Sequence, residues 1–266
     1  MTAKKKPYIS PSQAIMYTKC GEQYRRRYVL GEIIPPGIAL IKGTSVHKGA
    51  EFNFSQKILS EKDRPAKDVV DYAVNIFDET VKHEGLLLNS DEESRGKSVV
   101  VGEAKDRAAL LSEALMTTVA PKYQPAEVEA ERFIDLPEST HNLKGIIDLK
   151  TREGNIVELK TSARAWVPER VERDLQLTFY GLMERAKTGA AIKPLILENI
   201  VDTKIPKVVS YISTREDGDY QNLINRLNRI IDGINKGVFP AAHPDSYYCS
   251  PKFCGYWDSC SLRPRK

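Results

Sequence analysis

A chain of 266 residues, 41% of them hydrophobic and 29% charged, is long enough to bury one large core and too apolar for a disordered polymer. A formal net charge of +4 permits nucleic-acid binding without requiring it. No run approaches the ~18 consecutive apolar residues of a membrane span, and "MTAKKKPYISPS" has a basic start without the apolar stretch of a signal peptide, so a soluble, cytoplasmic protein with no membrane partner is expected.

The first predicted element is a helix from Ser10 to about Leu30, with Ser10 as N-cap, Pro11 at the first helical position and Gln13 as capping-box partner. Cys20 would lie in its middle, ahead of "EQYRRRYVLG". A second helix is expected to begin at Thr44 and carry His47 in its first turn. Apolar residues at the 3.6 period predict helices over 66–84 and 97–119, joined by "GLLLNSDEESRG". From Val128 the period becomes two, and "VEAERFIDL", "NLKGIIDLK" and "NIVELKT" read as three sequential strands of an antiparallel meander. A helix from Pro168 to Lys187, stopped by Gly189, leads to a strand pair, "PLILENIVDT" and "KVVSYIST". An amphipathic helix over 217–236 ends at Gly237 and leaves an irregular, aromatic tail. The whole reads as one domain, 1–266, with a helical lobe (1–120), an α/β core (121–236) and a cysteine-rich tail (237–266).

Two sets of residues carry chemistry. If 151–155 is the hairpin loop, Lys150 faces Ile156 and Asp148 faces Glu158, with Cβ atoms ~5 Å apart. Period two puts Lys160 on the face of Glu158 and turns Val157 and Leu159 to the other. Paired carboxylates repel unless a cation sits between them, and a divalent ion such as Mg²⁺ is held by one or two carboxylates plus water and phosphate oxygens. Lys160 beside it could orient or deprotonate an attacking water, the constellation of phosphodiester hydrolysis. A solvated strand face with a surface Glu/Lys pair would show the same spacing. The second set is Cys20 with Cys249, Cys254 and Cys260, the last three spaced C-x4-C-x5-C. In a reducing compartment such clustering points to metal or cluster ligation, and spacing leaves zinc and iron–sulfur both open.

"GTSVH" (43–47) resembles a G-x-x-x-H motif, "GIID" (145–148) a G-x-x-D motif, "ELKT" (158–161) a (D/E)-x-K-T motif and "QLTFY" (176–180) a Q-x-x-x-Y motif. In this order they resemble the RecB-family nucleases of the PD-(D/E)XK superfamily, close in organisation to the CRISPR-associated adaptation nucleases and the nuclease domain of AddB-type helicase-nucleases. The resemblance implies a restriction-endonuclease-like mixed sheet with a helical N-terminal lobe. It implies His47, Asp148 and Glu158 as metal ligands, Lys160 as the catalytic lysine, and Gln176 and Tyr180 as residues that contact DNA phosphate or position the site. Glu131, on the preceding strand, is an accessory acidic candidate.

In cluster-bearing members of that family one cysteine before the core and three after it hold a [4Fe-4S] cluster that staples the N-terminal helix to the tail. Cys20, Cys249, Cys254 and Cys260 match that arrangement, with C-x4-C in place of the commoner C-x2-C. The implied activity is Mg²⁺- or Mn²⁺-dependent hydrolysis of DNA by an exonuclease at single-stranded ends. A flap or prespacer-processing endonuclease and a catalytically silent DNA-binding or scaffolding module are the alternatives. Phosphate contacts are expected among Lys4 to Lys6, Arg25 to Arg27, Arg164, Arg263 and Arg265, and Trp166 is a candidate for base stacking or for packing. No GxxxxGK[ST] loop is present, so the chain has no motor of its own and either works alone or joins a separate helicase or recombination partner, in a prokaryotic or phage-infected cell.

Overall fold

The computed structural model describes residues 6–136, 139–189 and 193–264. A two-residue strand β1 (Tyr8–Ile9) leads into helices α1 (Pro11–Lys19) and α2 (Gly21–Tyr24), the latter continuing as a π-helical turn, Arg25–Val29. Then come α3 (Ile38–Ser60), α4 (Ala66–His83), α5 (Ser90–Arg95) and α6 (Lys97–Ala114), which also ends in a π turn, Leu115–Val119. Strands β2 (Pro125–Ile134), β3 (Asn142–Thr151) and β4 (Ile156–Ser162) follow. Helices α7 (Pro168–Glu172) and α8 (Leu175–Thr188), strands β5 (Leu195–Val201) and β6 (Lys207–Ser213), and helix α9 (Asp217–Asn235) complete the order.

The sheet runs β1-β3-β4-β5-β6 with β2 also paired to β3. β2-β3, β3-β4 and β5-β6 are antiparallel, whereas β4-β5 and β1-β3 are parallel, so the sheet is mixed. All seven residues of β5 are buried, because helices cover both faces of a strand that pairs on both edges. Alternation assigns the two cores. Leu195 and Leu197 face α8 and α9 with Leu177, Phe179 and Leu227, while Ile196 and Ile200 join Val157 and Leu159 against Phe54 of α3 and Leu111 of α6.

Several expected elements are corrected by the fold. Cys20 does not lie mid-helix: it is an extended residue (φ −161°, ψ 104°) at the break between α1 and α2. The break follows from a close approach. The Gly21 N–H donates to Pro240 O at 2.6 Å, and a Cβ there would stand 2.7 Å from the Phe239 carbonyl carbon. The second helix starts at Ile38, not Thr44, so His47 is more than two turns in. The linker between α4 and α6 holds α5, capped by Asn89 and Glu92 as a capping box. The helix expected from Pro168 to Lys187 is broken at Arg173–Asp174, where the Asp174 side chain caps α8 by accepting from the Leu177 N–H at 2.9 Å.

The iron–sulfur clip between the two ends is not shown by the fold. What joins them is ordinary packing and hydrogen bonding: Tyr17 OH donates to Val238 O, Tyr256 OH to Glu32 O at 2.6 Å, and Arg26 to Ser259 Oγ at 2.8 Å. Tyr24 stacks on Phe239 with centroids 6.2 Å apart.

Gly21→Ala should cost on the order of 1–3 kcal/mol, because the atoms a methyl group would strike are backbone and cannot swing aside. We expect a lower urea midpoint and earlier proteolytic cutting after Val238. An unchanged midpoint and digestion pattern would contradict this account of the junction.

Candidate active site

The site begins as a failure of pairing. β3 and β4 pair at Lys150–Ile156 and Leu149–Val157, and then they diverge. In the gap the Leu159 N–H is taken by Asp148 Oδ2 at 2.8 Å, a side chain standing in for the missing strand partner. The same register puts Glu158 opposite Asp148, as the sequence predicts, and Glu158 is 1% exposed.

Two glycines let helices reach this gap. A Cβ on Gly43 would lie 3.0 Å from Thr161 Oγ1, so α3 runs close against the end of β4. His47, four residues on and therefore on the same helix face, stands with Nδ1 3.5 Å from Asp148 Oδ2. A Cβ on Gly145 would lie 2.8 Å from Met183 Sδ and 3.1 Å from Tyr180 Cε1, so α8 sits directly on β3. That seats Gln176 and Tyr180 over the hairpin. Lys160 Nζ bonds Glu158 Oε1 and donates to Gln176 Oε1 at 2.8 Å, and Gln176 Nε2 donates to the Tyr180 hydroxyl at 2.7 Å. His47, Asp148, Glu158, Lys160, Gln176 and Tyr180 are thus brought together.

The electrostatics follow from burial. Desolvation, with Lys160 and the Leu159 amide opposing it, leaves Asp148 pushed up to about 6. Desolvation and then the Asp148 charge push Glu158 up to about 8. Burial alone would depress Lys160, but Glu158 and Asp148 outweigh it and hold the ammonium form. Lys160 therefore orients and stabilises rather than abstracting a proton in this state. Burial lowers His47 to about 4, so its imidazole is neutral at physiological pH. Burial, with Glu158 and Asp148 adding to it, holds the Tyr180 phenol above its usual range.

Glu158 Oε2 is buried without a hydrogen-bond partner. An orphaned carboxylate oxygen beside a second carboxylate suits a hard divalent cation. Among the described residues no group of three or more His, Cys, Asp or Glu side chains is arranged to hold a metal ion as it stands. Mg²⁺ does not require one, since it takes one or two carboxylates and fills its shell with water and substrate oxygens.

Two residues escaped the sequence reading. Asn199 on β5, fully buried, accepts from the Trp166 N–H at 3.0 Å and donates to Ser162 Oγ at 2.7 Å and Lys160 O at 3.3 Å, fixing the end of β4. Glu129 is the acidic residue of β2 that faces the site, whereas Glu131 pairs with Lys144 at 2.8 Å on the outside. The register on either side, Val128–Leu149 and Ala130–Ile147, sets Glu129 opposite Asp148. Its φ of 46° is left-handed, a strained backbone for a residue with a Cβ. Burial, with Glu51 the next contributor, raises its carboxyl. Period two makes Glu127, Glu129 and Glu131 equivalent by sequence, which is why Glu131 could be singled out.

The other candidates lie away from this gap. Cys20, Cys249, Cys254 and Cys260 are free thiols lining one cavity with Gln23 and Arg26. Burial raises Cys249 and Cys254, and the neighbouring thiols add to it. Arg25 and Arg26 are paired with Glu22, and Lys6 with Asp135. Trp166 lies under the Arg170 guanidinium at 3.6 Å and packs on the core, so packing accounts for its ring. Arg164 is exposed, and Lys4, Lys5 and Arg265 lie outside the described residues. No helix among the described residues is long and apolar enough to cross a membrane.

Comparison with known proteins agrees with the geometry. The family model of the PD-(D/E)XK nuclease superfamily matches residues 8–261. A crystal structure described as a "Putative exonuclease" from Eubacterium rectale superposes with a TM-score of 0.55 at 15% identity, covering 100% of this chain and 96% of that one. A second structure, SSO0001, gives a TM-score of 0.39 at 18% identity over 66% of this chain and 80% of its own, too low a likeness to build on. No curated protein sequence matches the chain.

Two outcomes are expected from this geometry. Because Asp148 and Glu158 bind protons more tightly folded than at their ordinary values of 3.8 and 4.5, the metal-free fold holds protons that the unfolded chain has shed. Their contribution to its stability should therefore fall as pH rises from about 4 to about 8, with the depressed His47 opposing it below about 6.5. Melting in EDTA across that range should show the decline, Mn²⁺ should counter it most at the alkaline end, and Glu158→Gln should flatten it. A slope unaffected by Glu158→Gln would refute the assignment.

For Glu129, glycine relieves the left-handed backbone and alanine does not. Glu129→Gly should be more stable than Glu129→Ala by roughly 1 kcal/mol, while both lower turnover alike. Equal stability of the two would remove the strain, and full activity in both would remove the carboxylate from the site.

Proposed function

The chain belongs to the PD-(D/E)XK nuclease superfamily, and from that premise we propose that it is a divalent-metal-dependent deoxyribonuclease, an exonuclease acting on single-stranded DNA ends. The observation that carries the reading is the pair of opposed carboxylates, Asp148 largely and Glu158 fully buried, with Glu158 Oε2 left without a partner. Asp148 and Glu158, with His47, would hold Mg²⁺ or Mn²⁺, whose chemistry is to polarise the phosphodiester and acidify a bound water. The protein's own groups do the rest. Lys160, kept cationic by Glu158 and steered by Gln176, faces the place where negative charge develops on phosphate, and preorganised charge there lowers the barrier without reorganisation. Neutral His47 offers a nitrogen rather than a competing proton.

The exonuclease part leans on the family resemblance and on the name of the Eubacterium rectale structure. A helicase or recombination partner rests on the resemblance alone. We further propose that Cys20, Cys249, Cys254 and Cys260 hold a [4Fe-4S] cluster. Supporting it, the four thiols surround one cavity although they are separated by most of the chain. Four thiolates would serve zinc as well, and the iron content of the protein distinguishes the two.

Incubating the protein with 5′- or 3′-labelled single- and double-stranded DNA and Mn²⁺ tests the activity. A ladder shrinking from one labelled end of single strands is expected, and internal cuts would instead favour the endonuclease. Lys160→Ala should lose at least ~100-fold in cleavage rate while DNA binding persists, since it removes support realised in the transition state. Cleavage undiminished in that variant would sink the site assignment, and no cleavage by the wild type in any metal would leave the silent DNA-binding module.

A further inference from the structure

We propose that Gln23 is the residue that sets the reduction potential of the cysteine-held cluster, by donating a side-chain N–H hydrogen bond to the sulfur of Cys254. The inference rests on the cluster reading given above and deepens it. Gln23 Nε2 lies 3.2 Å from Cys254 Sγ, a contact 231 residues apart in sequence, and the Ala242 N–H lies 3.4 Å from Cys20 Sγ. Both place an N–H on a cysteine that lines the cavity, and a sulfur accepts such a bond best as a thiolate, the form that ligates iron.

The placement is a product of the fold. Cys20 occupies the break between α1 and α2, and Gln23 stands three residues later on α2, so one short helix presents a ligand and a donor to the same cavity. The tail supplies the sulfur that Gln23 meets. Arg26 also lines the cavity, but its guanidinium is taken by Glu32 at 2.9 Å, Ser259 Oγ at 2.8 Å and Glu22 at 4.0 Å. Gln23 is therefore the side-chain donor that bears on a ligand sulfur, beside backbone N–H groups at Cys20 and Cys254.

Hydrogen bonds to sulfur are one of the factors that fix the potential of an iron–sulfur centre, and outer partners tune a site through its ligands. Adding an electron raises the negative charge on the sulfurs, which strengthens an N–H···S bond. The donor thus stabilises the reduced form more than the oxidised one and raises the potential. Gln23 is a positioning and tuning residue, acting through Cys254 and not on DNA.

The test is an anaerobic redox titration, read by electron paramagnetic resonance and visible absorption, of the full chain and of three variants. The midpoint should fall in Gln23→Leu, which removes the donor, and fall further in Gln23→Glu, which adds negative charge. It should rise above wild type in Gln23→Lys. A merely structural role predicts no such order. If a variant loads no cluster, the wild type decides: exchange into D₂O should shift its Fe–S stretching bands, as an exchangeable N–H on sulfur requires. A wild type that is brown with about four irons, but insensitive both to D₂O and to the three substitutions, would overturn this inference alone. A colourless, iron-free wild type would overturn the cluster reading, and the inference with it.

Discussion

Everything at the candidate site depends on keeping two carboxylates side by side where little water reaches them. Burying a charge without a partner is among the most costly events in a fold, and burying two of the same sign is worse. The protein answers with three devices. The Leu159 N–H donates to Asp148, Lys160 sits against Glu158, and burial beside Asp148 pushes Glu158 toward its protonated form. None of these satisfies Glu158 Oε2. The remaining deficit marks where positive charge is wanted.

Positioning that charge is the task of the helices, and it is achieved by leaving atoms out. Gly43 lets α3 reach β4, and Gly145 lets α8 reach β3. A third close approach, Gly181 against the Tyr220 hydroxyl, seats α9 on the back of α8. Each is a helix contact that a methyl group would spoil, which is the physical content of two of the four short motifs. The G of G-x-x-x-H is there for His47, and the G of G-x-x-D is there for Tyr180 and Gln176 as much as for its own aspartate.

Much of this could be read in the sequence because period two and hairpin length fix register together. Counting outward from the loop at 151–155 is enough to oppose Asp148 and Glu158. What could not be counted was how the strands part beyond Leu149, or that Asp148 fills the gap. Helix limits failed where tertiary contact overruled the local pattern. The residues from Ser10 to Leu30 have helical character throughout, yet the backbone of Phe239 and Pro240 against Gly21 breaks the helix at Cys20. The N-cap of α3 is Gly37, which has no side chain to cap with, so the true start of the helix left no signal at its first residue. Glu129 was invisible for a different reason, since a left-handed residue inside a strand contradicts the periodicity by which strands are recognised.

The break at Cys20 also decides how the cysteine-lined cavity lies relative to the candidate active site. α1, which ends at Cys20, packs against α8 and α9, and Ala14 shares a core with Leu177 and Phe179. The next residue in α8 before Leu177 is Gln176, which holds Lys160. Between Cys20 and Lys160 there is therefore one helix, one core and one amide. Spatial continuity of this kind does not amount to coupling, which needs an element with two arrangements. It does fix an order of loss. Loosening the tail frees Tyr17, Tyr24 and Gly21 first, because those contacts are made with Val238, Phe239 and Pro240 themselves. Gln176 is held from below by a buried core and from above by Lys160 and Tyr180, so it is disturbed only after α1 has left that core.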